Sequence, residues 1–361
     1  MSEIKVLLLK TIPKRIERII KELFFRILKI FIHRKNISPA DLTYEKILVV
    51  ILENALGDMI ARAALIDSLK ATYPDSKIDV VLFLEKNKSV LNNTPSVNEV
   101  IILEKKGKLN QNMGLLSLAL NLRKRNYDLA ITPTSDNLRP ALFCYLTKAS
   151  RRLSFKKSKE DYYYSDIFMT DAIIEDNLHM VNKNTEMVKY LAGNNAKLKK
   201  PKIYLTDEES RYGDDFWKKS GVNNDDILIG IHPFFDPDRE RGYPILKVKE
   251  LMDKISAVKK VKFAIFWGPS ELIIMDQIKS VLTKDAIMVE DVPFQKIISL
   301  MKRLNLFICC DTGTNHLASM VDIPMIVLVG ATMKQGTEPW GTKFKIIKDK
   351  ELFFYYLFLY L

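Results

Sequence analysis

Two short polar segments follow apolar runs of strand length, and their side chains are suited to acid–base chemistry and to anion binding. The first is Gly57-Asp58, which comes after the run KILVVIL (46–52). The second is DTGTNH (311–316), which comes after LFICC (306–310). Because ligands of open α/β sheets bind beyond the carboxyl ends of the strands, both segments are candidate site residues.

Asp58 is expected in the first turn of the helix that follows the first strand. A carboxylate there stabilises the helix dipole by about 0.3–1 kcal/mol, which is a purely structural explanation. The functional interpretation is a general base held over a cleft, a role that contributes roughly 10²–10⁴-fold to a rate. The segment by itself leaves both interpretations open.

The second segment predicts a tight turn at Thr312-Gly313 and a helix that begins near Thr314. Free backbone N–H groups at a helix start suit a phosphate group. The threonine hydroxyls and the imidazole of His316 are further donors, to a phosphate or a ribose. The alternative is an ordinary strand–turn–helix in which Thr314 or Asp311 is the N-cap.

Two more loops favour an anion site at the same sheet edge. Residues 330–332 (Gly-Ala-Thr) form a turn after the next apolar run. The loop 231–244 contains Arg239 and Arg241, whose guanidinium groups suit the oxygens of a diphosphate. A solvated charged loop is the plain alternative for these arginines.

The elements that must position these residues alternate between strand and helix. Apolar runs of strand length lie at 46–52, 77–84, 97–103, 127–133, 226–233, 261–269, 306–310 and 324–332. Helical patterns lie at 58–74, 114–126, 179–193, 245–258, 271–282, 294–305 and from 314 onward. The alternation predicts two doubly wound parallel-sheet domains that face a cleft, at 44–195 and 200–350, joined by a polar linker at 194–209.

The composition is that of a globular protein, with 47% hydrophobic and 28% charged residues. Cys144, Cys309 and Cys310 form no CxxC motif and are expected to be buried, reduced thiols. The net charge of +12 is uneven, because residues 1–46 hold eleven Lys and Arg against five Asp and Glu.

The basic N-terminal extension (1–43) predicts an amphipathic helix that lies on an anionic membrane surface through residues 12–35. A helix packed on the protein's own body is the alternative. The segment has no apolar run long enough to span a bilayer and does not read as a signal peptide. Its aromatic residues lie on the apolar face rather than among the basic ones, so we expect no nucleic-acid partner.

Together these segments resemble glycosyltransferase family 9, the lipopolysaccharide heptosyltransferases. The matching stretches are ILENALGD, HP…RERGYP, FWGPSE and DTGTNHLASM…PMIVLVGAT…PWG, over roughly residues 46–342. The resemblance implies a GT-B architecture with two Rossmann-like domains. The N-terminal domain would receive a saccharide acceptor and the C-terminal domain would bind an ADP-sugar, with inverting transfer and no required metal or cofactor.

The resemblance also implies roles for individual residues. Asp58 matches the proposed base, Arg241 a contact to the nucleotide phosphates, and Glu271 a position near the nucleoside. Asp311, Thr312, Gly313 and His316 match the nucleotide-sugar motif, and Thr332 matches the threonine of a downstream Gly-x-Thr turn.

The acceptor side departs from the family pattern. Gly57 fits it, but Arg62 and Ala64 stand where a small hydroxyl residue and a proline are frequent. Glu53 stands near a position that is commonly basic. Arg62 has two explanations, a contact with an acidic group of the acceptor or a surface ion pair. The C-terminus, KDKELFFYYLFLYL, also departs, and a packed helix, a membrane-dipping end or a truncated reading frame would each explain it.

The expected function is inverting transfer of a heptose-like sugar from an ADP-sugar to a saccharide or lipopolysaccharide-type acceptor. The enzyme would be cytoplasmic and peripherally attached to the inner face of the cytoplasmic membrane. Two alternatives stay open, a transferase with a different sugar donor in surface-glycan assembly and a degenerate, non-catalytic nucleotide-sugar-binding protein.

Overall fold

A computed structural model describes most of the chain between residues 43 and 347. The described residues are 43–53, 55–103, 108–135, 137–156, 167–175, 178–233, 235–236, 241–242, 245–268, 275–282, 286–290, 292–329, 336 and 338–347. The expected N-terminal helix and the C-terminal tail lie outside them. Within them, no helix is both long and apolar enough to cross a membrane.

The first domain is a parallel sheet of six strands with helices between them. In chain order its elements are β1 (Lys46–Ile51), α1 (Leu56–Thr72), β2 (Lys77–Leu82), a 3₁₀ helix (Glu85–Leu91), β3 (Glu99–Ile102), α2 (Lys108–Leu122), a 3₁₀ turn (Arg123–Arg125), β4 (Leu129–Ile131), α3 (Leu138–Leu146), β5 (Arg151–Lys156), β6 (Asp171–Ile174) and α4 (Met180–Ala192).

The second domain repeats this plan. Its elements are α5 (Asp207–Lys219), β7 (Leu228–His232), the short antiparallel pair β8 (Phe235–Asp236) and β9 (Arg241–Gly242), α6 (Ile245–Val258), β10 (Lys262–Phe266), α7 (Met275–Leu282), β11 (Ile287–Val289), α8 (Phe294–Met301), β12 (Leu306–Cys310), α9 (Gly313–Met320), β13 (Met325–Leu328) and β14 (Phe344–Ile347).

The two sheets have the same strand order. The first runs β3-β2-β1-β4-β5-β6 and the second β11-β10-β7-β12-β13-β14. Numbered within each domain, both orders are 3-2-1-4-5-6, the order of the Rossmann fold. The prediction of two doubly wound domains is therefore confirmed. In each sheet the winding direction reverses beside the first strand, between β1 and β4 and between β7 and β12.

Strand β1 shows why these strands read as continuous apolar runs. Ile47, Val49 and Ile51 belong to the same core cluster as α1 residues, while Leu48 and Val50 belong to a cluster with α2 and α3 residues. All five side chains are fully buried. Because both faces of the sheet are covered by helices, neither set of alternating positions meets water.

The sequence patterns assign no strand or helix between residues 134 and 178, yet this stretch contains α3, β5 and β6. The sequence of β5 does not read as a buried strand because its first residue, Arg151, is charged. The side chain of Arg151 is nevertheless buried, with 1% of its surface exposed. Its guanidinium donates to the Tyr44 hydroxyl at 2.7 Å and to Asp171 Oδ1 at 3.0 Å. Burial opposes ionisation of Asp171, but the hydrogen bonds from Arg151, Thr170 and Tyr190, together with the charge of Arg151, outweigh it and hold the pKa of this carboxyl below its ordinary value.

The linker is shorter than expected, because α5 already begins at Asp207. Thr206 and Glu209 form a reciprocal capping box that starts this helix. The domains also touch directly, for example where the Gln295 side-chain amide donates to the Ser89 carbonyl at 2.7 Å. The three cysteines are free and buried, as predicted.

Candidate active site

Asp58 lies at the point where the first sheet reverses its winding. Strand β1 ends at Ile51 and α1 starts at Leu56, so the half-buried Asp58 is in the first turn of that helix. The N-cap residue Ala55 has no side chain that can cap the helix. The carboxylate therefore stands at the positive end of the helix dipole and at the carboxyl edge of the sheet, where ligands of this fold bind.

Gly57 is where the two domains come closest at this edge. A Cβ atom built on Gly57 would lie 2.8 Å from His316 Cδ2 and 3.6 Å from Gly313 Cα. Only a residue without a side chain fits this approach. The contact brings the first turns of α1 and α9 together, although they are more than 250 positions apart in the chain. Both helix starts are positive dipole ends, so an anion between the domains is stabilised from two sides.

The turn before α9 leaves the helix start without a side-chain cap. Thr312 is the N-cap residue, with an extended backbone, and its side chain makes no capping hydrogen bond. The expectation that Thr314 or Asp311 is the N-cap is therefore wrong. The hydroxyls of Thr312 and Thr314 lie 2.8 Å apart and bond to each other instead. A ligand oxygen can take the place that a capping oxygen usually fills.

Two histidines accompany this turn, His232 buried and His316 partly buried, and both are neutral at pH 7. His232, the last residue of β7, is 4% exposed, and its Nδ1 lies 3.3 Å from Thr314 Oγ1. Burial lowers its pKa to about 4. Burial, together with the neighbouring His179, lowers the pKa of His316 to about 4 as well. His316 can therefore donate one hydrogen bond to a ligand, but it carries no charge to offset a phosphate.

An apolar cavity of about 400 Å³ opens beside the Thr312–Thr314 turn. It is lined by Phe266, Trp267, Phe294, Ile297 and Met301, among others. Pockets for small ligands begin at roughly 300 Å³ and combine apolar walls with a few polar groups. The cavity thus combines aromatic walls with the hydroxyl groups of Thr312 and Thr314.

The first-domain side of the cleft holds a polar cavity of about 340 Å³. Arg62 lies on its wall but is 6% exposed. Its guanidinium binds Glu53 through both carboxylate oxygens, at 2.8 and 3.2 Å, and donates to Asn184 Oδ1 at 2.7 Å. Of the two explanations for Arg62, the structure selects an ion pair, and a buried one rather than one on the surface.

A second ion pair lies on the wall of the same cavity. Lys183 Nζ is 2.7 Å from Glu175 Oε1, and the Ser135 hydroxyl donates to the other oxygen of that carboxylate at 2.5 Å. Among the described residues, the wall thus presents two carboxylates matched by two cations. The Pro133–Asn137 side of the cavity follows β4, so this cavity also lies at the reversal point of the first sheet.

The structure describes the remaining predicted site residues only in part. Arg241 lies in β9, beyond the carboxyl end of β7, which is the expected edge, but its side chain is not among those described. Glu271 and Thr332 lie outside the described residues, as does Arg239. The structure thus brings the turn that contains Gly57 and Asp58 close to residues 311–316. The roles of all the predicted site residues stay predictions.

Sequence reasoning missed His232 and the aromatic wall of the apolar cavity. A polar residue that ends a buried strand, as in LIGIH, was the available signal for His232. No such signal exists for the cavity, because Phe266, Phe294 and Met301 read as ordinary core residues. Glu175 was missed because it follows β6, a strand that sequence reasoning did not recognise. Lys183 was missed because a single lysine in the predicted helix 179–193 gives no signal of its own.

The chain is similar in sequence to known glycosyltransferases. The model of glycosyltransferase family 9 (heptosyltransferase) matches residues 115–352. The lipopolysaccharide heptosyltransferase 3 of Escherichia coli (strain K12) is 27% identical over 296 residues, which cover 79% of this chain and 82% of that protein.

Solved structures share the fold. The glycosyl transferase family 9 protein of Veillonella parvula DSM 2008 has a TM-score of 0.75 at 22% identity, over 89% of this chain and 91% of that one. An E. coli heptosyltransferase solved with ADP has a TM-score of 0.62 at 16% identity, over 82% of this chain and 94% of that one. Since the family model spans more than half of the chain, the protein belongs to glycosyltransferase family 9 and is a glycosyltransferase.

Proposed function

We propose that this enzyme transfers a heptose-like sugar from an ADP-sugar to a saccharide hydroxyl of a lipopolysaccharide-type acceptor, with inversion at the anomeric carbon. The observation that carries the proposal is the meeting of Gly57-Asp58 with the uncapped start of α9. It sets a carboxylate from one domain against an anion-binding helix start from the other. The E. coli relatives, one a lipopolysaccharide heptosyltransferase and one solved with ADP, support the choice of donor and acceptor.

The donor would lie in the second domain. Its adenine would occupy the apolar cavity beside Phe266 and Phe294, and its diphosphate would receive the N–H groups at the start of α9. The hydroxyls of Thr312 and Thr314 and the neutral imidazole of His316 would add hydrogen bonds. Arg241 would supply the positive charge that the two neutral histidines do not.

The acceptor would enter from the first domain, and Asp58 would take the proton of its reacting hydroxyl. The oxygen would then attack the anomeric carbon from the face opposite the diphosphate. The bond between that carbon and the diphosphate oxygen would break, and ADP would leave with the electron pair. The helix dipole of α9 and Arg241 would stabilise the charge that develops on the leaving group, so the chain's own groups would serve where other transferases use a metal ion.

Association with the cytoplasmic face of an anionic membrane belongs to this proposal. Its support is the basic, amphipathic sequence of residues 12–35 and the net charge of +12. A glycolipid acceptor is held at such a surface, so an enzyme attached there meets it at high local concentration.

The test is a calorimetric titration of the purified protein with ADP, UDP, GDP and their sugar conjugates. We expect selective ADP binding that Arg241→Ala weakens by roughly 10–100-fold, the loss of a charge-assisted hydrogen bond. Arg211→Ala, on the exposed face of α5, is the matched control and should bind ADP like the wild type. Selective binding of UDP or GDP would favour a different donor, and absence of binding to any nucleotide would favour a non-catalytic protein.

A further inference from the structure

Helix α2 of the first domain has two apolar faces. Leu115, Ala119 and Leu122 are buried in the core cluster under the sheet. Met113, Leu116 and Leu120 face outward, with 60%, 40% and 44% of their surface exposed. These three occur at i, i+3 and i+7, so they form one continuous stripe along the helix. Single exposed leucines are ordinary, but an aligned stripe of large side chains indicates a contact surface.

The charges around this stripe have one sign. The sequence has no acidic residue from 105 to 127, while Lys105, Lys106 and Lys108 precede the stripe and Arg123 and Lys124 follow it. Arg123 and Lys124 are exposed. Arg125 is different, because it is paired with Asp79 and Glu99.

The neighbouring helix α3 also begins with an exposed apolar side chain. It contacts α2, and its first residue, Leu138, is 39% exposed and is followed by the exposed Arg139. The sequence from 137 to 159 contains no acidic residue. By contrast, the exposed side of α6 in the second domain carries charges of both signs, with Glu250 paired to Lys247 and Lys254. A helix that faces water is thus built differently from α2 and α3.

This surface borders the acceptor-side cavity. The residues that line the cavity after β4, up to Asn137, lead directly into Leu138 at the start of α3. A flat partner that covers the stripe therefore also reaches the rim of the cavity in which the acceptor would bind.

We propose that the outward stripe of α2, continued by Leu138, is a second membrane-contact surface that inserts shallowly into an anionic lipid interface. The apolar side chains enter the boundary of the acyl chains while the flanking Lys and Arg pair with anionic headgroups. The chain's own N-terminal segment is a poorer occupant, because its excess of positive charge is repelled by the same flanks. The inference rests on the membrane association of the proposed function, and it adds an orientation that turns the acceptor cavity toward the lipid.

The test locates the contact in the full-length chain. An environment-sensitive fluorophore is attached at Leu120→Cys, while the native cysteines are buried and remain unlabelled under native conditions. Leu246→Cys on α6, 68% exposed, is the matched control. Vesicles of phosphatidylglycerol and phosphatidylethanolamine should shift the emission of the label at 120 to the blue, and pure phosphatidylcholine should do so far less. The label at 246 should not respond.

A second variant measures the contribution to binding. Leu116→Gln/Leu120→Gln should lower partitioning into the anionic vesicles by roughly tenfold, since two leucines no longer leave water. Leu246→Gln should partition like the wild type. All variants should bind ADP like the wild type, so a failure of nucleotide binding remains distinct from a failure of this inference.

Two results would overturn the proposal. One is sedimentation of the labelled protein with anionic vesicles while the label at 120 keeps its aqueous emission, because the N-terminal segment would then be the sole anchor. The other is an apolar emission of the label at 120 before vesicles are added. That result would mean that a segment of the chain or a second copy covers the stripe.

Discussion

The two domains share a strand order and differ in what they place at the same edge. At the reversal point of the first sheet lies a polar cavity with two ion pairs, Glu53–Arg62 and Glu175–Lys183. At the reversal point of the second sheet lies an apolar cavity with aromatic walls, the hydroxyl groups of Thr312 and Thr314 and the neutral His232. The fold supplies the location, and the loops decide which chemistry occurs there.

This difference suits two kinds of ligand. Paired charges and hydroxyls form hydrogen bonds to a polyhydroxylated sugar, whereas an apolar slot beside a helix start suits a flat base that carries phosphates. Because the cations of the first cavity are already paired, its described wall offers no excess positive charge to an acidic acceptor. We therefore expect the acceptor group bound there to be uncharged.

The largest expected effect comes from removing the carboxylate that distinguishes the first domain. Asp58→Asn should lower kcat by roughly 10²–10⁴-fold, because the amide cannot accept the acceptor's proton. ADP binding, which the second domain provides, should be unchanged. Asp75→Asn, an exposed position after α1, is the control of identical chemistry. Full transferase activity of Asp58→Asn in a steady-state assay would contradict the proposal that the first domain supplies the general base and the second domain binds the donor.

As the pH is lowered, the second domain should lose stability before the first. The pKa values of His232 and His316 are about 4 in the folded protein, against about 6.5 for an unfolded chain. Because the unfolded state takes up protons first, stability falls as pH drops from 6.5 to 4, by up to about 3 kcal/mol for each histidine. In the first domain, the pKa of Asp171 is lower in the folded protein than in the unfolded chain, where it is about 3.9. The contribution of Asp171 to stability is therefore lost only when the pH falls below about 3.9.

Amide hydrogen exchange at pH 7 and pH 5 measures this difference. Protection should decrease in β7 and β12, while β1 and β5 keep theirs. His232→Asn should reduce the pH dependence in the second domain. Equal loss of protection in both domains would show that they unfold as one unit. In that case the two domains would not differ in their stability toward acid.

The ion pair Glu53–Arg62 in the first-domain cavity should contribute more to stability than the ion pair Glu99–Arg125 at the opposite edge of the same sheet. Glu53→Gln leaves the guanidinium of Arg62 without its carboxylate, and we expect a loss of about 2 kcal/mol in the free energy of unfolding. Glu99→Gln removes a partner from the exposed Arg125 and should cost less than about 1 kcal/mol. Urea denaturation of both variants provides the comparison.

A double variant refines that result. Glu53→Gln/Arg62→Met removes both charges and should recover most of the stability that the single variant loses. If the double variant is as unstable as Glu53→Gln alone, packing rather than the uncompensated charge explains the loss. A change in the acceptor KM of Glu53→Gln, with donor KM constant, would assign this pair to the acceptor side.

The smallest effect concerns the contact between the domains. In Gly57→Ala the new methyl group would lie 2.8 Å from His316 Cδ2, so the ring or the domains must shift. We expect a roughly tenfold loss of kcat from the misplacement, with little change in stability, since alanine favours the helix. His316→Ala removes the obstructing ring, so adding Gly57→Ala to it should cost nothing further. An additive loss in the double variant would contradict this contact.

The sequence by itself determined the parallel-sheet architecture and the candidate residues on either side of the cleft. Strands such as β1 and β12 are buried on both faces, which leaves an unbroken apolar run that periodicity detects. Gly57-Asp58 and residues 311–316 stood out because polar residues directly after such runs must lie at the carboxyl edge. That reasoning is local, and it required no knowledge of which segments meet.

Only the tertiary structure decided which residues face one another. The hydrogen bond from Arg62 to Asn184 and the closeness of Gly57 to His316 join segments far apart in the chain. The same holds for β5 and β6, whose charged residues hide the strands from sequence analysis. In the structure Arg151 and Asp171 neutralise each other in the interior. Long-range charge compensation and close backbone approach leave no periodic signal, because they depend on where the chain returns rather than on which residues are neighbours in it.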